Sequence, residues 1–210
     1  DEENSYIELL NKVSKIYFLL LFPVCIGMFV LSKEIIILYG GNKYLGATSV
    51  FAAFSIYVIT LGYESILANQ IIYIKGRERE LVKIDLIGGI FNLISNYILV
   101  FLNILTPVTA ILTTMFANII IIFLQNYYTI KKLKVNFKIF SLDKIKYLII
   151  SLIFIPVTIF IKLNFEGTIK VSVITVVFNA LIYFLILYIS KDKVFFEMLT
   201  ILKRVGEKNE

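Results

Sequence analysis

The side chain best suited to chemistry in this chain is Glu64, a carboxylate inside the apolar run FAAFSIYVITLGYESILANQIIYI. It stands 11 residues before Lys75, which is roughly 16 Å of helix. In a membrane-crossing segment that is close to mid-depth. A charged side chain there costs roughly 2.5–3.5 kcal/mol on insertion scales, so it needs a partner, a wet cavity or a coupling role. A buried carboxyl can take up a proton or hold a cation. Tyr57 and Thr60 share its helix face, being spaced by three and four residues.

Other polar side chains recur in similarly apolar surroundings. One stripe holds Asp85, Gly88, Gly89, Asn92 and Asn96; a second holds Thr113, Thr114, Asn118 and Gln125; a third holds Ser172, Thr175, Asn179 and Tyr183. Small and amide residues join transmembrane helices to one another, and for the Asn and Thr stripes that packing role is the leading expectation. For Glu64 a cavity or coupling role leads. The candidates for a transport path or coupling site are thus Glu64, Tyr57, Thr60, Asn92, Asn96, Asn118 and Asn179. No basic residue lies at mid-depth in these runs, so an ion pair to Glu64 would need a residue from elsewhere.

The chemistry the chain lacks is equally informative. There is no histidine and one cysteine, Cys25, so no internal disulfide and no Cys/His metal site can be built. The usual general base at neutral pH is missing. No metal and no cofactor are expected, and an enzyme is disfavoured.

Six elements must position these residues. The chain is 59% hydrophobic and 17% charged, with a mean hydropathy of +0.88; soluble domains have roughly 45–50% and about 25%. Runs of roughly 20 apolar residues suffice to cross about 30 Å of hydrocarbon. Segments 14–38, 46–74, 82–103, 107–130, 146–163 and 168–190 meet that length. None alternates at period two, so a membrane barrel is excluded and helices remain. The expected fold is an all-α polytopic bundle, with 1–13 as a cytoplasmic lead-in and 191–210 as a cytoplasmic tail. The fifth segment, with Ser151, Pro156 and Thr158, is poorest in polar side chains and is expected to face lipid.

Loop charge provides an independent check. With the N-terminus in the cytoplasm and six crossings, all but four of the 21 Lys and Arg residues fall inside. The four exceptions are Lys33, Lys43, Lys162 and Lys170. That asymmetry follows the positive-inside rule and places both ends in the cytoplasm. It also accounts for the net charge of +6 without nucleic acid: the basic loops lie against anionic lipid.

Within the first segment, Pro23 and Gly27 predict a kink. Lys33-Glu34 reaches the outer interface, and Gly40-Gly41 ends the helix before the chain re-enters at Gly46. The tail sets Val194, Met198, Leu199, Ile201 and Leu202 beside basic residues, as an interfacial amphipathic helix does. The polar opening DEENSYIELLNKVSK, which leads straight into a span, is expected to be an internal loop of a longer protein.

An ordered set of residues resembles the C-terminal half of polysaccharide (O-antigen type) flippases, within the multidrug/oligosaccharidyl-lipid/polysaccharide exporter superfamily. It comprises Pro23-x-x-x-Gly27, Ser32-Lys33-Glu34-Ile35-Ile36, Leu38-Tyr39-Gly40, Tyr44 and Ala47. Asn69-Gln70 with Lys75-Gly76-Arg77 follow, then Asn92-Leu93-Ile94 with Asn96. The likeness runs from about residue 10 to 130; beyond that only hydropathy and loop charge agree. The family's fourth span of this half often opens with a Gly-Ala-Ala-like run, where this chain has Thr106-Pro107-Val108-Thr109-Ala110.

The resemblance implies movement of a polyprenyl-diphosphate-linked oligosaccharide from the inner to the outer leaflet of the cytoplasmic membrane, by rocking of two lobes. Its implied partners are that substrate, membrane lipid, a coupling proton or sodium ion, and a missing N-terminal lobe or second subunit. Cationic residues for the diphosphate would then come from the missing lobe. The alternatives are a cation-coupled multidrug exporter, a lipid II flippase, a membrane-embedded glycosyl- or acyltransferase, and a non-transporting scaffold. A transferase would normally show a carboxylate cluster or a histidine at a membrane boundary, and mid-depth polar stripes would be wasted in a scaffold.

Overall fold

The computed structural model describes residues 2–207, with side chains through Thr200. Asp1, Lys208 and the side chains of Ile201, Leu202, Lys203 and Arg204 lie outside the described residues. Among the described residues there are helices and no strand. The fold is an all-α polytopic bundle. Six helical stretches are long and apolar enough to cross a membrane: Glu2–Val30, Asn42–Tyr73, Glu78–Phe101, Pro107–Lys131, Leu142–Asn164 and Thr168–Ile189. They sort into two compact units, one running to Glu34 and resuming at Phe140, the other being Ile35–Ile139. A short helix, α2 (Ser32–Gly40), passes from the first into the second.

The first unit consists of α1 (Glu2–Val30), α6 (Leu142–Ser151), α7 (Phe154–Asn164), α8 (Thr168–Ile189) and α9 (Lys193–Glu207). The lead-in is helical from Glu2, and α1 passes through Pro23 without interruption. Proline has no N–H to offer the carbonyl four residues back, which is that of Leu19. The Tyr183 hydroxyl on α8 donates to the Leu19 carbonyl at 2.8 Å. The acceptor that proline strands is thereby satisfied from a neighbouring helix, as buried backbone requires. The helix ends further on, at a turn at Leu31. There Lys162 donates to the Val30 carbonyl and to the Glu34 carboxylate, both at 2.8 Å.

Pro156 has the opposite outcome. Its ring crowds the carbonyl four residues back, that of Leu152, and the fifth crossing splits at Leu152–Ile153 into α6 and α7. This crossing was expected to face lipid because it has few polar residues. One face does, with Ile149, Ile159, Phe160 and Leu163 exposed, but the other does not: Tyr147, Ser151, Phe154, Thr158 and Ile161 are buried in the first unit. Thr158 accepts from the Asn179 amide at 3.2 Å. A helix that is apolar nearly all round still presents one face to its neighbours, and residue counts do not reveal which.

The tail helix α9 follows Asp192, whose carboxylate accepts from the Phe195 N–H at 2.9 Å as an N-cap. Phe195 is the buried anchor, stacked on Phe184 at 5.8 Å. The apolar set read from the sequence omitted it; Val194 and Met198 are half-buried and Leu199 is exposed. The tail is also tied to α1 by a Lys12–Glu197 ion pair at 2.7 Å.

The second unit holds α3 (Thr48–Leu67), α4 (Glu78–Phe101) and α5 (Pro107–Lys131). Gly41, at φ +81°, ends α2 in a backbone region that glycine tolerates best. A short 3-10 turn, Asn42–Ala47, then leads into α3. α5 packs against both α3 and α4. Gly88 makes the α4 contact close, because a Cβ there would run into the Ile121 side chain. The departure at Thr106 has a local purpose. Its hydroxyl accepts from the Thr109 N–H at 3.1 Å, and the Thr109 hydroxyl accepts from the Thr106 N–H at 2.8 Å. Two free donors at a helix start are thus satisfied reciprocally, with Pro107 at the first helical position.

Candidate functional site

The face that α5 buries is half polar. Ala117 and Ile122 alternate along it with Asn118, Gln125 and Thr129. The spacing of three and four that the sequence displays is the spacing of this face. Thr113, Thr114, Asn118 and Gln125 each meet a polar side chain on α3 or α4. Thr113 donates to Asn96 at 2.8 Å, Asn96 donates to Asn92 at 3.0 Å, and Asn92 donates to Thr114 at 3.3 Å. Two residues of α4 and two of α5 are therefore joined in one polar chain. This is the packing role expected of these stripes.

One turn further along α5, the Asn118 amide donates to the Glu64 carboxylate on α3. Asn118 is 4% exposed and Glu64 is half-buried. Two turns beyond that, the Gln125 amide reaches Asp85 on α4 at 3.5 Å, a long contact. Two acids in apolar helices are thus each met by a carboxamide of the same third helix. Tyr57 and Thr60 lie on the Glu64 side of α3, both half-buried. The Thr60 hydroxyl is spent on the Tyr57 carbonyl at 2.8 Å, which leaves its oxygen free to accept.

A carboxamide satisfied only through its N–H₂ keeps an unused acceptor. The oxygens of Asn118, Gln125, Asn126 and Thr129 are buried with no partner among the described residues. Leaving such a group unpaired costs about 1–3 kcal/mol, so this row calls for water or for the polar groups of a guest. Immediately past Glu64 the helix changes winding to a π segment, Ala68–Tyr73. Such segments are rare and concentrate at functional sites. The sequence had no signal for it.

Of the residues singled out from the sequence, Glu64 and Asn118 come together, and Tyr57 and Thr60 share their side of α3. Asn92 and Asn96 are absorbed in their own cluster further along α4. Asn179 belongs to the first unit, with Thr158, and is not part of this site. Pro23 and Gly27 are likewise in the first unit. Asp85 and Gln125 were not among the site candidates. Their signal was present, since Asp85 shares the three-four spacing of Gly88, Asn92 and Asn96. Comparison with protein-family models, curated proteins and solved structures finds no match for this chain.

Proposed function

We propose that this chain forms one helical lobe of a transporter of the cytoplasmic membrane, with both ends inside, that moves a polyprenyl-diphosphate-linked oligosaccharide to the outer leaflet. The observation that carries this reading is the set of buried, unpartnered oxygens on α5 that begins at Asn118, the partner of Glu64. A sugar is dense in hydroxyl donors, and carboxamide and hydroxyl acceptors suit it without binding it too tightly to release. The resemblance of Pro23-x-x-x-Gly27, Ser32-Lys33-Glu34, Lys75-Gly76-Arg77 and Asn92-x-x-x-Asn96 to the flippase family supports the same class of cargo. No catalytic step is required: the protein supplies a wet path while the prenyl tail stays in lipid, and access alternates by rocking of lobes.

A second reading is a cation-coupled exporter of the same superfamily. Glu64 and Asp85 favour it, since two acids on helices that both pack against α5 offer hard oxygen ligands or proton acceptors. The two readings separate in liposomes. With the purified protein reconstituted beside a lipid-linked oligosaccharide, we expect the sugar to become accessible to an impermeant oxidant faster than in protein-free vesicles. A transfer rate equal to that of empty vesicles, with efflux of an organic cation instead, would replace the flippase with the exporter.

A further inference from the structure

The first unit contains a second polar feature that transport does not use. Where α6 begins and α8 ends, a cavity of about 620 Å³ opens among Lys15, Asp143, Lys146, Lys191, Asp192 and Lys193. These come from α1, from α6 and from the turn into α9. Both carboxylates are already engaged. Asp143 is bound by Lys15 at 2.9 Å, and Asp192 by Lys146. Asp192 is also the N-cap of α9. No described residue pairs with the side chains of Lys191 and Lys193, and both are exposed. The lining therefore carries a net positive charge, with the Lys191 and Lys193 ammonium groups left over once the two ion pairs are counted.

The surroundings of the cavity identify the plane it occupies. Tyr188, at the end of α8, and Phe196, on α9, are both exposed, with ring centroids 5.6 Å apart. Exposed aromatic rings beside lysines at the end of a span mark the headgroup level of a bilayer. Helix α9 continues this with Leu199, also exposed. Basic pockets between spans on the cytoplasmic side take anionic headgroups. We propose that this cavity binds the phosphate of an anionic glycerophospholipid of the inner leaflet, with Lys191 and Lys193 as the phosphate-contacting residues and Lys15 and Lys146 lining the floor. This holds whatever the protein transports.

The test uses the purified protein in an uncharged detergent, titrated with short-chain phosphatidylglycerol, matched phosphatidylcholine or inorganic phosphate, and followed by its melting temperature. We expect a saturable rise with phosphatidylglycerol alone. Because each basic residue near an anionic surface contributes a several-fold gain in affinity, Lys191→Ala with Lys193→Ala should weaken it at least about tenfold. The double Arg variant should keep it, as should Lys170→Ala, which removes a lysine at the opposite end of α8 from the cavity. Equal shifts with phosphatidylcholine, or undiminished binding in the double Ala variant, would overturn the site. So would an equal loss in the remote variant. Shifts produced equally by inorganic phosphate would overturn the lipid and leave a soluble phosphate compound as its ligand.

Discussion

Replacing Glu64 by glutamine is expected to slow leaflet transfer about tenfold or more, while the protein reaches the membrane and melts much as the parent does. The reason is geometric. Asn118 donates to the Glu64 carboxylate, and a glutamine carbonyl can accept the same bond, so the contact survives and only the charge is removed. If exposing and burying that charge contributes even about 1.4 kcal/mol to the barrier between access states, the rate changes tenfold. Glu64→Ala is different: it also strands the Asn118 amide, whose oxygen already lacks a partner among the described residues, and should cost about 1–3 kcal/mol of stability. Asn118→Ala should disturb transport less than Glu64→Gln. The decisive readout is transfer rate divided by the amount of folded protein. Equal losses of protein level in Glu64→Gln and Asn118→Ala, with no specific loss of transfer, would make Glu64 a packing residue.

The largest loss of stability is expected from Asp192→Ala, on the order of 2–4 kcal/mol. Asp192 is 5% exposed and serves three donors: Lys146, the Tyr147 hydroxyl at 3.2 Å and the Phe195 N–H at 2.9 Å. Removing the carboxylate leaves a buried phenol and a helix start without acceptors. The same residue produces a pH signature. Burial pushes its carboxyl upward, but the Lys146 ammonium, with the Phe195 N–H and the Tyr147 hydroxyl, outweighs burial and holds it below the usual carboxylate range. A carboxyl depressed on folding stabilises the fold above its unfolded value, about 3.9. That stability fades as pH falls through the lower folded value. Melting temperatures of the parent should therefore drop below about pH 4, and those of Asp192→Asn should be lower at neutral pH and flatter through the acid range. Parallel acid limbs in the two proteins would remove Asp192 from this role.

How much of this was legible in the sequence depends on the range of the interaction. The six crossings were legible because hydropathy accumulates over some twenty residues and the breakers between them are local. The helix end at Gly40-Gly41 and the start at Pro107 were legible for the same reason. The partner of Glu64 was not. Asn118 is 54 residues away, and the rotation of α5 that aims it at α3 is set by packing, with Gly88 fixing the approach of α4. The role of Pro23 was half legible: proline announces a stranded carbonyl, but that Tyr183, 164 residues from Leu19, satisfies it requires the fold. The fifth crossing was half legible: its exposed apolar face follows from its low polarity, but the face it buries does not. Ser151 and Thr158 are small enough to be buried against neighbours without adding to any polar stripe. Nor did the chain order reveal that the first, fifth and sixth crossings build one unit, and the second to fourth another.

Thiol labelling separates a water-lined path from a merely glued interface. In a Cys25→Ser background, Tyr57→Cys and Thr60→Cys would be exposed to a charged, membrane-impermeant thiol reagent, with Leu93→Cys as the control, since Leu93 is 71% exposed on an apolar face of α4. If the Glu64 side of α3 lines a polar path, the first two variants react from water and the Leu93 variant does not. If Tyr57→Cys and Thr60→Cys stay as inert as the lipid-facing control, the polar face of this unit is packing alone, and the transport reading falls with it.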